Sequence, residues 1–221
     1  MLENLGILHY SWSDKVTSAG NQQGRLQRRT LRDYTSGSCE ATAEEHAKAY
    51  LLGAIHDGSK HKNTVRISQK GTDWLIVLQT LLFSVGAKSW IYQEGKTRSV
   101  FVLETSVKFL DFKANPLTFK TTIEQALYIR GFFDAEGGVP RDRSSRFYIQ
   151  LVQKDHDKLS RIKMILNDLG IRAGKIHNPS RRVDPNYWRF FISAESQRDF
   201  CNIVGSNHPR KCKILRDRMM I

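Results

Sequence analysis

Cysteine is scarce in this chain, and acidic residues are outnumbered. Only Cys39, Cys201 and Cys212 occur among 221 residues, with no CxxC spacing. An odd, sparse count excludes a disulfide framework. His208 and Cys212 stand four apart, but no second pair completes a zinc set, so the thiols read as structural and a reducing compartment fits. Long apolar runs are also missing. The most apolar stretch, Trp74 to Ala87, is too short for a membrane span and carries Gln79 and Ser84. Glu3 stands where a secretory leader would be basic, so the expected location is cytoplasmic (prokaryote-like) or organellar, and not secreted. There are 22 acidic residues against 35 Lys and Arg, a formal net charge of +13. A chain this basic attracts polyanions, of which nucleic acid is the commonest. Hydrophobic residues make up 40% of the chain, enough for a packed core.

Residues 1–42 read as a polar, basic N-terminal extension without clear period, disordered or contacting phosphates. From Thr42 the pattern tightens. Thr42 is an N-cap before Glu44 and Glu45, and a helix should run through Tyr50, Leu51 and Ile55 to Asp57-Gly58. A strand follows at Thr64 to Lys70, and an amphipathic helix at Thr72 to Val85, closed by Gly86. Ser89 to Gln93 and Ser99 to Thr105 read as a hairpin around Glu94-Gly95-Lys96, and Val107 to Phe112 as a short helix. After Asn115-Pro116 the order recurs: helix Thr122 to Glu136, strand Phe147 to Lys154, helix Asp155 to Leu169 closed by Gly170. Strands Ala173 to His177 and Tyr187 to Ser193 follow, then a helix from Glu195 to Val204.

Ile67-Ser68-Gln69-Lys70 parallels Leu151-Val152-Gln153-Lys154, and Gly86 parallels Gly170. This is a tandem duplication, a first repeat at 43–114 and a second at 121–206. A linker spans 115–120 and a basic C-terminal tail 207–221. Two copies suggest a pseudo-two-fold pair, which suits the approximate dyad of duplex DNA.

The helices that open the repeats end alike. One reads Gly53-Ala54-Ile55-His56-Asp57-Gly58. The other reads Gly131-Phe132-Phe133-Asp134-Ala135-Glu136-Gly137. A glycine inside a helix costs about 1 kcal/mol relative to alanine, and is tolerable where another backbone comes close. If the helices pack there, their terminal acids meet. Two carboxylates brought together repel unless a cation lies between them. Oxygen ligands suit Mg²⁺, which can assist phosphodiester hydrolysis. An ordinary pair of helix ends with exposed acids is the plainer alternative, but the helix dipole disfavours acid there, and it recurs at equivalent places.

The stretch Gly131 to Gly137 resembles the LAGLIDADG motif of homing endonucleases, with Glu136 for the last Asp; the first copy resembles it less closely. The resemblance covers about Glu44 to Val204. It implies an α+β fold of two pseudo-symmetric LAGLIDADG repeats, each an antiparallel sheet saddle backed by helices, acting as a monomer on double-stranded DNA. It implies catalytic Mg²⁺ or Mn²⁺ at Asp57 and Glu136, with Gly58 and Gly137 completing the metal set. It gives Gln69, Lys70, Gln153 and Lys154 roles in orienting water and stabilising charge. The activity implied is double-strand cleavage leaving 5′-phosphate and 3′-hydroxyl ends, in the service of intron mobility. The first motif is one residue short. Pairing Gly53 with Gly131 sets Asp57 on Ala135; pairing Asp57-Gly58 with Glu136-Gly137 sets Leu52 on Gly131. The second register is preferred here.

The strands alternate in a period of two, one face for a core and one for solvent. Their polar face and nearby loops supply the expected DNA contacts: Arg66, Ser68, Arg98, Tyr148, Gln150 and Arg189 near base edges, and Arg141, Arg143, Arg181 and Arg182 on phosphates. Two other readings use the same scaffold. One is an RNA-binding maturase that assists intron splicing. The other is a nuclease-dead DNA-binding regulator, which should carry an added helix-turn-helix; none is evident after Val204.

Overall fold

The computed structural model describes residues 42–95, 98–142 and 144–219. Residues 1–41, which hold most of the expected extension and Cys39, lie outside these, as do Lys96, Thr97 and Arg143.

The first motif helix, α1 (Ala43–Ala54), starts where Thr42 caps it. The Thr42 hydroxyl accepts from the Glu45 amide, and the Glu45 carboxylate accepts from the Thr42 amide. Thr121 and Glu124 repeat this box at the start of α3 (Thr122–Glu136). Strands β1 (Gly58–His61), β2 (Thr64–Gln69), β3 (Ser89–Gln93) and β4 (Phe101–Thr105) form an antiparallel sheet in the order β1-β2-β4-β3. Helix α2 (Asp73–Ser84) covers its apolar face, where Val65, Ile67 and Leu103 meet Trp74, Leu78 and Leu82. In the second repeat, β5 (Gly137–Gly138), β6 (Gln150–Gln153) and β7 (Trp188–Phe191) form a three-stranded sheet. Its core lies against α3, α4 (His156–Asp168) and α5 (Gln197–Ile203).

Several local expectations differ. Val107–Phe112 is not helical; Val107 and Phe109 instead pack on the first core as irregular chain. Strand β6 begins at Gln150, not Phe147. Ala173 and His177 form isolated bridges to Ile192 and Arg189, so the strand expected at Ala173–His177 is only sketched among the described residues. Strands β1 and β5, directly after the two acids, were not foreseen because each is short and begins with glycine. Finally, the stretch expected as a basic tail holds helix α6 (Pro209–Met219), with Lys211 and Leu215 buried.

The two repeats join where α1 lies along α3. A Cβ on Gly53 would fall 2.0 Å from the Tyr128 carbonyl oxygen, and one on Gly131 would fall 2.0 Å from that of Tyr50. The contact is reciprocal, so at the crossing Gly53 pairs with Gly131. At the helix ends, however, Asp57-Gly58 pairs with Glu136-Gly137, since both glycines start the strand that faces Ile67 or Leu151. Each register of the first motif therefore holds in its own place. The missing residue is absorbed by winding. After Gly53 there is one α-helical residue and then three in a 3-10 turn, Ile55–Asp57. At about 1.5 Å per α residue and 2.0 Å per 3-10 residue, these four rise about as far as the five α residues from Gly131 to Glu136.

Replacing Gly131 with Ala should force the two backbones apart and destabilise the protein by about 3 kcal/mol. Urea unfolding checks this, and Gly174→Ala, where an added Cβ would meet only the Phe191 carbonyl oxygen at 3.6 Å, supplies the contrasting small loss.

Candidate active site

Asp57 and Glu136 end the two motif helices where each runs into its sheet, and they lie close enough for the Asp57 charge to act on Glu136. Burial and then the Asp57 charge raise the Glu136 carboxyl to about 7. Asp57 rises to about 6, mainly from the protein packed behind it, although its outer side stays open to solvent. Two neighbouring acids in a partly buried setting both resist ionisation, first because burial disfavours their charged forms. The glycines after them sit in extended backbone, not in the left-handed cap that closes many helices. Glycine is required there by crowding: a Cβ on Gly137 would fall 2.4 Å from the Phe133 carbonyl oxygen, and one on Gly58 would fall 2.9 Å from that of Arg66.

The strand-end residues divide unequally around this pair. The Gln69 side-chain amide donates to Asp57. Its counterpart Gln153 instead accepts from the Lys154 amide at 2.7 Å. The Lys154 charge acts on Glu136. Lys70 is exposed, with no hydrogen bond to either acid among the described residues.

Behind the pair, the helices exchange a second set of contacts. The Tyr50 hydroxyl donates to Asp134 at 2.7 Å, and the Tyr128 hydroxyl shares a hydrogen bond with His56 at 2.9 Å. In the Gly53–Gly131 register, His56 is the counterpart of Asp134, so this is one pseudo-symmetric pair with unlike acceptors. Burial, helped by the Lys158 charge, pulls His56 down to about 3, so it is neutral and packs inside the motif.

Asp134 also receives the backbone amides of Asn207 and His208 at 2.8 and 3.1 Å, and the Ser206 hydroxyl. Trp74 donates to Tyr50 at 3.0 Å and stacks on the His208 ring. Both repeats and the C-terminal segment thus share one polar network. Lys211, 3% exposed, completes it. Its ammonium donates to the carbonyl oxygens of Phe133, Asp134 and Gly137 at 2.6, 2.8 and 2.7 Å. These carbonyls lie at the end of α3, where helix termini leave acceptors unmet. Burial lowers Lys211 to about 8, against the pull of Asp134, so it remains charged at neutral pH, and its charge favours ionisation of Asp57 and Glu136. No local sequence signal distinguishes Lys211 from its basic neighbours.

The polar faces of the two sheets lie on the side away from the cores. On the first, Arg66 and Ser68 alternate with buried Val65 and Ile67 and lie on the outward face. Arg66 pairs with Glu104 at 2.9 Å. Glu104 also accepts from Thr64 at 2.6 Å and Tyr92 at 2.9 Å, and these bonds, Thr64 foremost, hold it near 2. Glu104 was missed in the sequence, although an acid inside the apolar run Phe101-Val102-Leu103 is a visible oddity. On the second sheet, Arg189 lies over the Phe191 ring at 5.1 Å, and Tyr148 meets that ring edge-on. Arg141, Tyr148 and Gln150 line a groove of about 480 Å³ with Arg210, beside Gly137. Arg181 and Arg182 are exposed on a turn, and Arg98 is exposed in irregular chain ahead of β4.

The geometry thus defines a two-repeat α+β protein with paired acids at a central helix crossing. A sequence model of the LAGLIDADG-like domain matches residues 124–205, the second repeat. The fold is that of the homing endonuclease I-DmoI. Against I-DmoI in complex with DNA and Mn, the TM-score is 0.57 at 25% identity, over 75% of this chain and 99% of that one. Against I-DmoI in complex with DNA and Ca, it is 0.60 at 22% identity, over 80% and 100%. Full-length DUF199/WhiA from Thermatoga maritima gives 0.60 at 19% identity, over 82% of this chain and 62% of that one. No curated protein sequence matches. The second repeat thus matches the LAGLIDADG-like domain, and the whole chain shares its fold with I-DmoI, in line with the resemblance of its motifs.

Two outcomes are expected. Lys211→Met should cost about 2–4 kcal/mol in urea unfolding by leaving three carbonyls without a donor; a loss under about 1 kcal/mol would remove its capping role. In metal-free protein, the neutral Glu136 carboxyl favours the fold. Because its folded value lies above the unfolded one, that stability is present below pH about 4.5 and is lost as pH rises through about 7. Glu136→Gln should therefore gain on the parent between pH 5 and 8, by about 1–3 kcal/mol in thermal melts. A constant difference across that range would contradict the assignment.

Proposed function

We propose that this protein is a sequence-specific endonuclease that cuts both strands of duplex DNA by metal-assisted phosphodiester hydrolysis. The observation that carries the reading is the junction of Asp57 and Glu136, one from each repeat, at the centre of two outward-facing polar sheets. The net charge of +13 supports a polyanionic substrate. The fold is shared by an endonuclease and by WhiA, so it does not assign the activity by itself; the retained acid pair favours cleavage.

The residues fit Mg²⁺ or Mn²⁺. Such ions are held by one or two carboxylates together with water and substrate phosphate, and two hard oxygen donors with raised affinity for protons meet that need. Asp57 and Glu136 would hold the cation, with the backbones of Gly58 and Gly137 close by. When bound, it would supply the positive charge that activates water and stabilises the leaving oxygen. Gln69 fixes the orientation of Asp57. Lys154 places positive charge on the Glu136 side, where charge develops on the phosphate. Lys211 holds the end of α3, and with it Glu136. The exposed arginines, Arg98, Arg141, Arg181 and Arg182, would neutralise phosphates, and Arg66, Gln150 and Arg189 would meet base edges. The products would carry 5′-phosphate and 3′-hydroxyl ends, and the biological setting would be mobility of an intron. One chain supplies both halves of the site, so a monomer suffices.

Purified protein should linearise a plasmid carrying its target with Mg²⁺, and not with EDTA. Glu136→Gln should reduce cutting at least 1,000-fold while changing DNA affinity less than three-fold. A variant that cuts like its parent would refute the site. Metal-independent promotion of intron splicing, without cutting, would favour an RNA maturase instead.

A further inference from the structure

We infer that the two sheets read unlike bases at equivalent positions, guanine through Arg66 in one half-site and adenine through Gln150 in the other. This rests on the DNA-binding reading above.

The equivalence comes from register. Asp57 is followed by Gly58, which faces Ile67; the next pair outward is Ser59 with Arg66. Glu136 is followed by Gly137, which faces Leu151; the next pair is Gly138 with Gln150. Arg66 and Gln150 thus hold the same place relative to the two acids, on the strands paired antiparallel to β1 and β5, which start at those acids. Both side chains lie on the outward face, since Ile67 and Leu151, their neighbours, are buried. Two residues related by a pseudo-dyad meet positions related by the DNA dyad.

What differs is the residue opposite. Across from Arg66 on β4 stands Glu104. That carboxylate is 6% exposed and is held by Thr64 and Tyr92 as well as by Arg66. The Arg66 Nε is enclosed at the Glu104 contact while a third of the side chain stays open. A guanidinium drawn to a carboxylate at its Nε side by an ion pair at 2.9 Å can present its terminal N–H groups to a flat, bidentate partner. In the major groove that partner is guanine, through O6 and N7. Across from Gln150 on β7 stands Phe191, which offers no such anchor. The Gln150 amide lies over Gly138 instead, where an added Cβ would come within 2.6 Å of Nε2. A glutamine amide gives one donor and one acceptor side by side, which matches N7 and N6 of adenine. The target is therefore not palindromic at this pair of positions.

The test is selection from a randomised duplex library bound in Ca²⁺, followed by sequencing. The parent should enrich guanine at one position and adenine at its symmetry mate on the opposite strand. Arg66→Gln should convert the guanine to adenine, with at least about a ten-fold change in preference, and leave the other half-site alone. Gln150→Arg should do the converse. Gln150 holds no buried charge, so this second swap stands even if Arg66→Gln fails to fold. Glu104→Gln should weaken guanine preference only. If both swaps leave the two positions unchanged while the parent still enriches a sequence, the inference is wrong and the DNA-binding reading stands. If the parent enriches no sequence at all, the reading of sequence-specific binding fails with it.

Discussion

The close approach of two helix backbones at Gly53 and Gly131 governs the rest of this structure. Each glycine lies where a single added carbon would overlap the other helix's carbonyl. Larger side chains would separate the helices, and the acids at their ends would separate too. Glycine weakens a helix on its own, so its presence in both helices is explained only by the partner. The same contact sets the relation between the two sheets, because each sheet starts directly where its motif helix stops. A local constraint on two residues therefore fixes the spacing of the acid pair and the placement of the polar faces together.

The paired acids pull the other way. Placing two carboxylates together in a partly enclosed site opposes folding at neutral pH, and the protein offsets this with cationic and hydrogen-bonding support from several directions. Lys211 caps the end of α3 and lends charge to both acids. Gln69 donates to Asp57. Lys154 acts on Glu136. The Trp74–Tyr50–Asp134 chain ties α2, α1 and α3 to the segment before α6. The C-terminal helix is thus part of the central architecture, although it lies beyond both repeats.

How much of this the sequence disclosed follows from the range of each interaction. The N-cap at Thr42 and the Gly-containing motifs depend on neighbours within a few residues, so they were legible, and the Thr42 cap formed as read; the box at Thr121 is just as local but was not read. The duplication was legible because it repeats as a string. The helix expected at Val107–Phe112 and the full strand at Ala173–His177 were misjudged, because apolar spacing over six residues fits irregular chain packed on a core as well as it fits an element. Lys211 and Glu104 were illegible as functional residues. Their importance lies in partners 74 to 78 residues away in one case and across three strands in the other, and no local pattern records that.

The shortened first motif shows why a choice between two alignments was the wrong question. Two constraints act on one helix, a packing contact at Gly53 and a strand junction at Gly58, and they demand different offsets from the second copy. A rigid α-helix could satisfy only one. The 3-10 turn at Ile55–Asp57 satisfies both, because its longer rise per residue replaces the absent one. The same economy applies across the sheets. Backbone register remains symmetric where the acids and glycines demand it, while side chains facing outward at equivalent places have diverged into Arg66 against Glu104 and Gln150 against Phe191. Duplication supplies a dyad of backbone, and divergence of the outward faces allows that dyad to meet an asymmetric surface.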